Sequence, residues 1–93
     1  MIKSFSDKRS QELFVHGRSR GLPTEIIQRA IRKLDALDAA RVIEDLFAPP
    51  GNRLHSLDGD RVGQHAISIN DQWRICFRFL NGDAYEVEIT DYH

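Results

Sequence analysis

The sequence predicts an α+β fold in which helices cover one face of a small antiparallel sheet. Two observations carry this: apolar residues recur at helical spacing through the first half, and the period changes from about 3.6 to 2 after Pro49-Pro50-Gly51. The order adds a third, since a short strand and helices precede three alternating runs split by tight-turn signals, a meander whose apolar face the helices must cover. A chain of 93 residues supports one domain, 1–93, around a single modest core.

Ile2-Lys3-Ser4-Phe5 alternates and predicts a short first strand. Ser6 or Asp7 then caps a helix that runs to His16, with Gly17 as its stop. Residues 17–21, with Arg18 and Arg20, form a basic loop, and Pro23 stands where a first helical turn tolerates it. From there Ile26, Ile27, Ala30, Ile31, Leu34 and Leu37 make an apolar stripe, with Arg29, Arg32, Lys33 and Asp35 on the other side. Asp38 is expected to cap a short continuation through Val42, Ile43, Leu46 and Phe47, which Pro49-Pro50-Gly51 ends.

Three strands follow: Ala66-Ile67-Ser68-Ile69, then residues 73–79, then Tyr85-Glu86-Val87-Glu88-Ile89. Directly opposed residues of an antiparallel pair share a face. A two-residue Asn81-Gly82 turn would set Phe77 against Glu86 and mix faces, so a three-residue loop through Asp83 is expected instead, pairing Phe77 with Val87, Ile75 with Ile89 and Arg78 with Glu86. The preceding turn sets Ile69 opposite Trp73 and Ser68 opposite Arg74. The open face then displays Gln64, Ala66 and Ser68, next to Arg74, Cys76 and Arg78, next to Glu86, Glu88 and Thr90.

Composition narrows the function classes. The net charge of −1 offers no global attraction for nucleic acid, but residues 1–47 hold nine Lys/Arg against seven Asp/Glu while residues 48–93 hold four against seven, so any phosphate-binding surface is a local patch. No apolar run is long enough to span a bilayer, and the opening Met1-Ile2-Lys3-Ser4 leads into charged residues rather than a secretory apolar stretch. The lone Cys76 has no internal disulfide partner, in keeping with a reducing cytoplasm. No metal-ligand spacing, P-loop, GxGxxG or GxSxG occurs, so neither metal nor cofactor is expected.

Chemistry-bearing residues have two readings each. Arg74 has Ser68 and Thr90 as rung neighbours rather than a carboxylate, which suits it to an anion; it can equally be a surface arginine of the sheet. His55, in Arg53-Leu54-His55-Ser56-Leu57, is either a proton-transfer group or a half-buried histidine of a short strand. Asp91-Tyr92-His93 gathers a carboxylate, a phenol and an imidazole directly after the last strand, enough for an acid–base site, or else a polar tail. His65 points toward the core, His16 fits the dipole at a helix C-terminus, and Cys76, among apolar neighbours, fits an inert filler. Arg78 opposite Glu86 fits a structural pair.

Taken in order, Leu54-His55-Ser56-Leu57, Gly59-Asp60-Arg61, residues 71–77, Asn81-Gly82-Asp83-Ala84-Tyr85 and the terminal Asp91-Tyr92-His93, with the opening Met1-Ile2-Lys3-Ser4-Phe5, closely resemble the HigB toxins of bacterial toxin–antitoxin modules, within the RelE/ParE superfamily. The resemblance covers nearly the whole chain, in pattern more than in residues through the helical half. It implies the RelE-like microbial RNase toxin fold, with an N-terminal strand and two to three helices on one face of the sheet. It also implies a type II, cytoplasmic, ribosome-dependent endoribonuclease that inhibits translation by cutting mRNA in the 30S decoding site. A HigA-type helix-turn-helix antitoxin would neutralise it, and operator DNA would be reached only through that antitoxin.

The implied chemistry needs no metal: a ribose 2′-hydroxyl attacks the adjacent phosphate, leaving a 2′,3′-cyclic phosphate and a 5′-hydroxyl. That requires a base, an acid and a cation for the transition state. The resemblance assigns His55, Asp91 and His93 to proton transfer and pocket organisation, Arg74 to the scissile phosphate, and Tyr92 to orienting or stacking on a base. One departure stands out, because Asp58 occupies the place where the family pattern often carries a lysine, which implies weaker ribosome binding and a mild, salt-sensitive toxin. Remaining basic contacts would come from Lys3, Lys8, Arg9, Arg18, Arg20, Arg29, Arg32 and Lys33. Two other functions fit the same fold: a ParE-like inhibitor of DNA gyrase, which would not need His55 and the terminal trio, and a catalytically weak antitoxin-binding partner in operon autoregulation.

Overall fold

Two helices pack on one face of a four-stranded antiparallel sheet in the computed structural model, which describes residues 1–91. Helix α1 spans Lys8–His16; the Asp7 side chain accepts from the Ser10 amide at its start, and Gly17 closes it in the left-handed conformation, its N–H bonding back to the Leu13 carbonyl. A 3-10 turn at Thr24–Ile26 leads into α2, Ile27–Ala39, whose stripe of Ala30, Leu34 and Leu37 is buried. Both helices follow the expected boundaries because cap and apolar period agree.

Asp38 does not cap the following segment as expected. It lies inside α2, and its carboxylate accepts the Ile2 amide at 2.8 Å, tying the N-terminal segment to the helix. The cap comes instead from Asp45, which accepts the Arg41 and Val42 amides, lowering its pKa. The expected helical continuation is a 3-10 turn, Ile43–Phe47, followed by another at Pro50–Asn52.

The sheet runs β1 (His55–Ser56), β2 (His65–Ser68), β3 (Trp73–Leu80), β4 (Asp83–Asp91), neighbours in that order. The N-terminal segment is not a full strand: Ile2 and Phe5 make isolated parallel bridges to Ala84 and Val87 beside β4. The core lies between sheet and helices, where Ile67, Ile75, Phe77, Val87 and Ile89 meet Leu13, Leu34 and Leu37.

The β3–β4 register corrects the sequence reading in an instructive way. The hairpin does use the two-residue Asn81-Gly82 turn, both residues at positive φ, so Arg78 pairs with Tyr85 and Phe79 with Ala84. A bulge then absorbs the slip. Glu86 takes φ 54°, the ladder shifts between Cys76 and Arg78, and Ile75 again faces Ile89 and Arg74 faces Thr90 as expected. Arg78 and Glu86 still form an ion pair although they are not rung partners. Ser68 faces Arg74, and the Ile69 amide bonds to the Trp73 carbonyl at 2.8 Å.

Candidate active site

The second face of the sheet is less open than the sequence suggests. Leu57 folds back over it and buries Ala66 and Cys76 in a satellite cluster. Residues 57–64 are held down by three hydrogen bonds: the Leu57 amide bonds to the Gln64 carbonyl at 2.9 Å, and Arg61 donates to Gln64 Oε1 and to Glu88 Oε1, each at 3.0 Å. Burial pushes the Cys76 thiol pKa up, with the Arg74 guanidinium pulling the other way, which suits a filler rather than a nucleophile.

His55 stands at the edge of this patch. It is exposed, so the half-buried reading does not hold. Its Cα partner is Ala66, whose own partner is Cys76, followed by Glu88, so His55 shares a face with that rung. The ring Nδ1 lies 2.7 Å from the Arg53 carbonyl oxygen, which can only accept, so Nδ1 carries the hydrogen and Nε2 is left as the acceptor of the neutral ring. A histidine held this way can take a proton at Nε2 and return it.

Arg74 occupies the next rung of the same face, between Ser68 and Thr90. Two strand spacings sideways and two residues along put its Cα about 12 Å from that of His55, on the same face of the sheet. Asp91 sits opposite Trp73 at the end of β4, which places its position on the helix-covered face. The expectations for Tyr92 and His93 fall outside the described residues.

Several cations that sequence alone left open are resolved. Arg9 is committed to the fold: it donates to the Gly21 and Ile89 carbonyls, pairs with Asp7 at 3.4 Å and lies 5.5 Å over the Trp73 ring. Lys3, Lys8, Arg18, Arg20, Arg29 and Arg32 are exposed. Arg53, which sequence reasoning passed over, lies two residues before His55 at φ 49° and lines a cavity with Ser68 and Arg29. Its place beside Leu54-His55 was the only available signal. Asp58 is exposed two residues past Ser56. Among the described residues no group of three His, Cys, Asp or Glu side chains is arranged to hold a metal ion, and no helix is long and apolar enough to cross a membrane.

Comparison with known proteins adds a family to this geometry. The model of a family described as the RelE-like toxin of type II toxin–antitoxin system HigB matches residues 3–93. "Endoribonuclease HigB" of Proteus vulgaris is 42% identical over 93 residues, covering all of both chains. "Toxin HigB-1" of Vibrio cholerae is 38% identical over 85 residues, 90% of each chain. The solution structure of a conserved hypothetical protein from Helicobacter pylori superposes with a TM-score of 0.59 at 14% identity, covering 99% of this chain and 96% of that one, and so shares the fold.

Proposed function

This chain belongs to the HigB-like toxins of type II toxin–antitoxin systems, and from that premise we propose that it is an endoribonuclease that cuts ribosome-bound mRNA. The observation that carries the reading is the shared face of His55 and Arg74, an exposed imidazole with Nε2 as acceptor on the same sheet surface as a guanidinium. Arg74 stabilises the charge that gathers on the phosphate oxygens as the 2′-hydroxyl attacks, a role in which one donor is worth about 10²–10³ in rate. His55 and His93 share proton transfer: one accepts the 2′-hydroxyl proton and the other delivers a proton to the departing 5′-oxygen. Tyr92 orients a base. Asp91, opposite Trp73, organises the end of β4 that carries both.

The chain acts as one unit, 1–93, in the cytoplasm, without metal, held by a HigA-type helix-turn-helix antitoxin and delivered to mRNA in the 30S decoding site. The antitoxin, not the toxin, contacts operator DNA. An exposed Asp58 beside the site adds repulsion toward phosphate, so ribosome binding is weakened and the toxin is mild.

Mapping mRNA 5′ ends in cells expressing the wild type or His93→Ala tests this against the other two functions. Position-dependent cuts within codons that vanish in the variant are expected. Gyrase arrest without cuts supports the ParE-like reading, and neither effect leaves an antitoxin-binding partner in operon control.

A further inference from the structure

We propose that the groove between α2 and residues 48–52 holds backbone phosphates of the substrate RNA that flank the scissile one. The strand would leave the Arg74 rung, pass Ser68 and Arg53, and enter a cationic channel at Arg29, Arg32 and Lys33. This rests on the ribonuclease reading of the Arg74 face.

The channel has a defined cationic lining. A cavity of about 450 Å³ is lined by Arg29, Arg32, Lys33, Pro49, Asn52 and Ile69 among others, and among its described lining residues there is no carboxylate. Arg29, Arg32 and Lys33 stand three and four residues apart on α2, hence on one helix face. The opposite wall is fixed by Asn52, fully buried, whose Nδ2 donates to the Leu46 and Ala48 carbonyls at 3.1 Å each while its Oδ1 accepts from Lys33 Nζ. Arg29 leans across toward the sheet, donating to the Ile69 carbonyl at 3.3 Å.

Electrostatics calls for an anion there. Partial burial first, and then the charges of Arg29 and Arg32, pull the Lys33 pKa down, in keeping with three cations gathered on one wall of the groove. Continuity favours RNA over an acidic protein segment. A second cavity, about 220 Å³, shares Arg29, Gly51 and Ile69 with the first and reaches Arg53 and Ser68, and Ser68 is the rung partner of Arg74. Its one carboxylate, Asp71, is a solvated rim residue 3.4 Å from Arg53 with 95% of its side chain exposed, a weak competitor for that cation. A phosphodiester strand offers repeated charges along such a path, which an isolated acidic side chain does not.

The test is fluorescence anisotropy with fully 2′-O-methylated RNA, which blocks the nucleophile, in oligomers of about 4 and about 12 nucleotides over a salt series, where each single-strand phosphate contact contributes about 0.7 to the slope of log Kd against log salt. Arg32→Gln, at an exposed position, should lower the slope for the long oligomer by about 0.7 and Arg29→Gln/Arg32→Gln by about 1.4, leaving the short oligomer unchanged. Arg74→Ala should weaken both oligomers. An unchanged long-oligomer slope in the groove variants, with Arg74→Ala still weakening binding, overturns the channel and leaves the site intact. No effect of Arg74→Ala on either oligomer overturns the site reading, and the channel with it. Two more arms can overturn the channel alone: groove variants that lose binding to polyglutamate while RNA binding holds mark a protein surface, and variants weakened only toward vacant ribosomes mark ribosomal rather than substrate phosphates.

Discussion

Leu57 is the residue through which packing should control chemistry, and Leu57→Ala isolates the effect. The residue is 9% exposed and closes the satellite cluster with Ala66 and Cys76, two residues past His55. Trimming it to a methyl forfeits roughly three buried carbons at about 0.8 kcal/mol each, and a peripheral cluster relaxes enough that the cavity cost stays small, so the loss is about 2–3 kcal/mol. For a domain of this size that lowers the melting midpoint by roughly 10–15 °C. The second consequence is local: β1 is only two residues long, and without Leu57 its pairing with β2 loses the anchor that sets where His55 points. A displacement of about 1 Å at a reacting group can cost on the order of 10²-fold. Cleavage of end-labelled mRNA on purified ribosomes, at a temperature where the variant is fully folded, should fall at least about ten-fold. Leu13→Ala is the control, a buried α1 change of about 2–5 kcal/mol that should leave the rate per folded molecule intact. A Leu57→Ala protein that loses the stability but keeps the wild-type rate would refute the positioning role.

Other outcomes follow from single contacts. Gly82→Ala should destabilise by about 1–3 kcal/mol in urea unfolding, because a Cβ at φ 84° would stand 3.1 Å from the Arg41 carbonyl oxygen; Gly17→Ala, at φ 74° in open space, should cost only about 1 kcal/mol, and equal losses would remove the steric argument. Cys76 should resist alkylation in the native protein at neutral and mildly alkaline pH and react once unfolded. Its raised folded pKa means that its contribution is complete below the unfolded thiol pKa and is lost as pH rises through the folded value, so stability should decline on the alkaline side; rapid native labelling at pH 8 would contradict the burial. Asp58→Lys should tighten ribosome pelleting at low salt and steepen its decline as salt rises, because a new lysine–phosphate contact releases a further counterion; an unchanged salt profile would show that Asp58 faces no phosphate.

Legibility followed the range of the interactions involved. The caps of α1, the stripe of α2 and the Ser68–Arg74–Thr90 rung were readable because periodicity and short turns are local properties of the chain. The bulge at Glu86 was not, since a glutamate carries no sign that it will adopt φ 54°, and only the demand that Phe77 and Ile75 both reach the core forces the extra residue. Asp38 looked like a cap until the Ile2 amide, thirty-six residues away, came to it. The fold-back of Leu57 and the Arg61–Glu88 contact join a loop to the far strand, so no spacing announces them. His55 and Arg74 were nameable as candidates, but their common face emerged only from pairing across three strands. The groove at Lys33 and Asn52 likewise needed the 48–52 turn in place against α2.

The most direct test of the account is the single-turnover rate of mRNA cleavage on purified ribosomes by Arg74→Ala beside the wild type. Cleavage slowed by about 10²–10³ with the melting midpoint essentially retained is the expected result, because Arg74 is assigned the transition-state charge and not the fold. An Arg74→Ala protein that cuts mRNA at the wild-type rate would contradict the assignment of this sheet face as the active site.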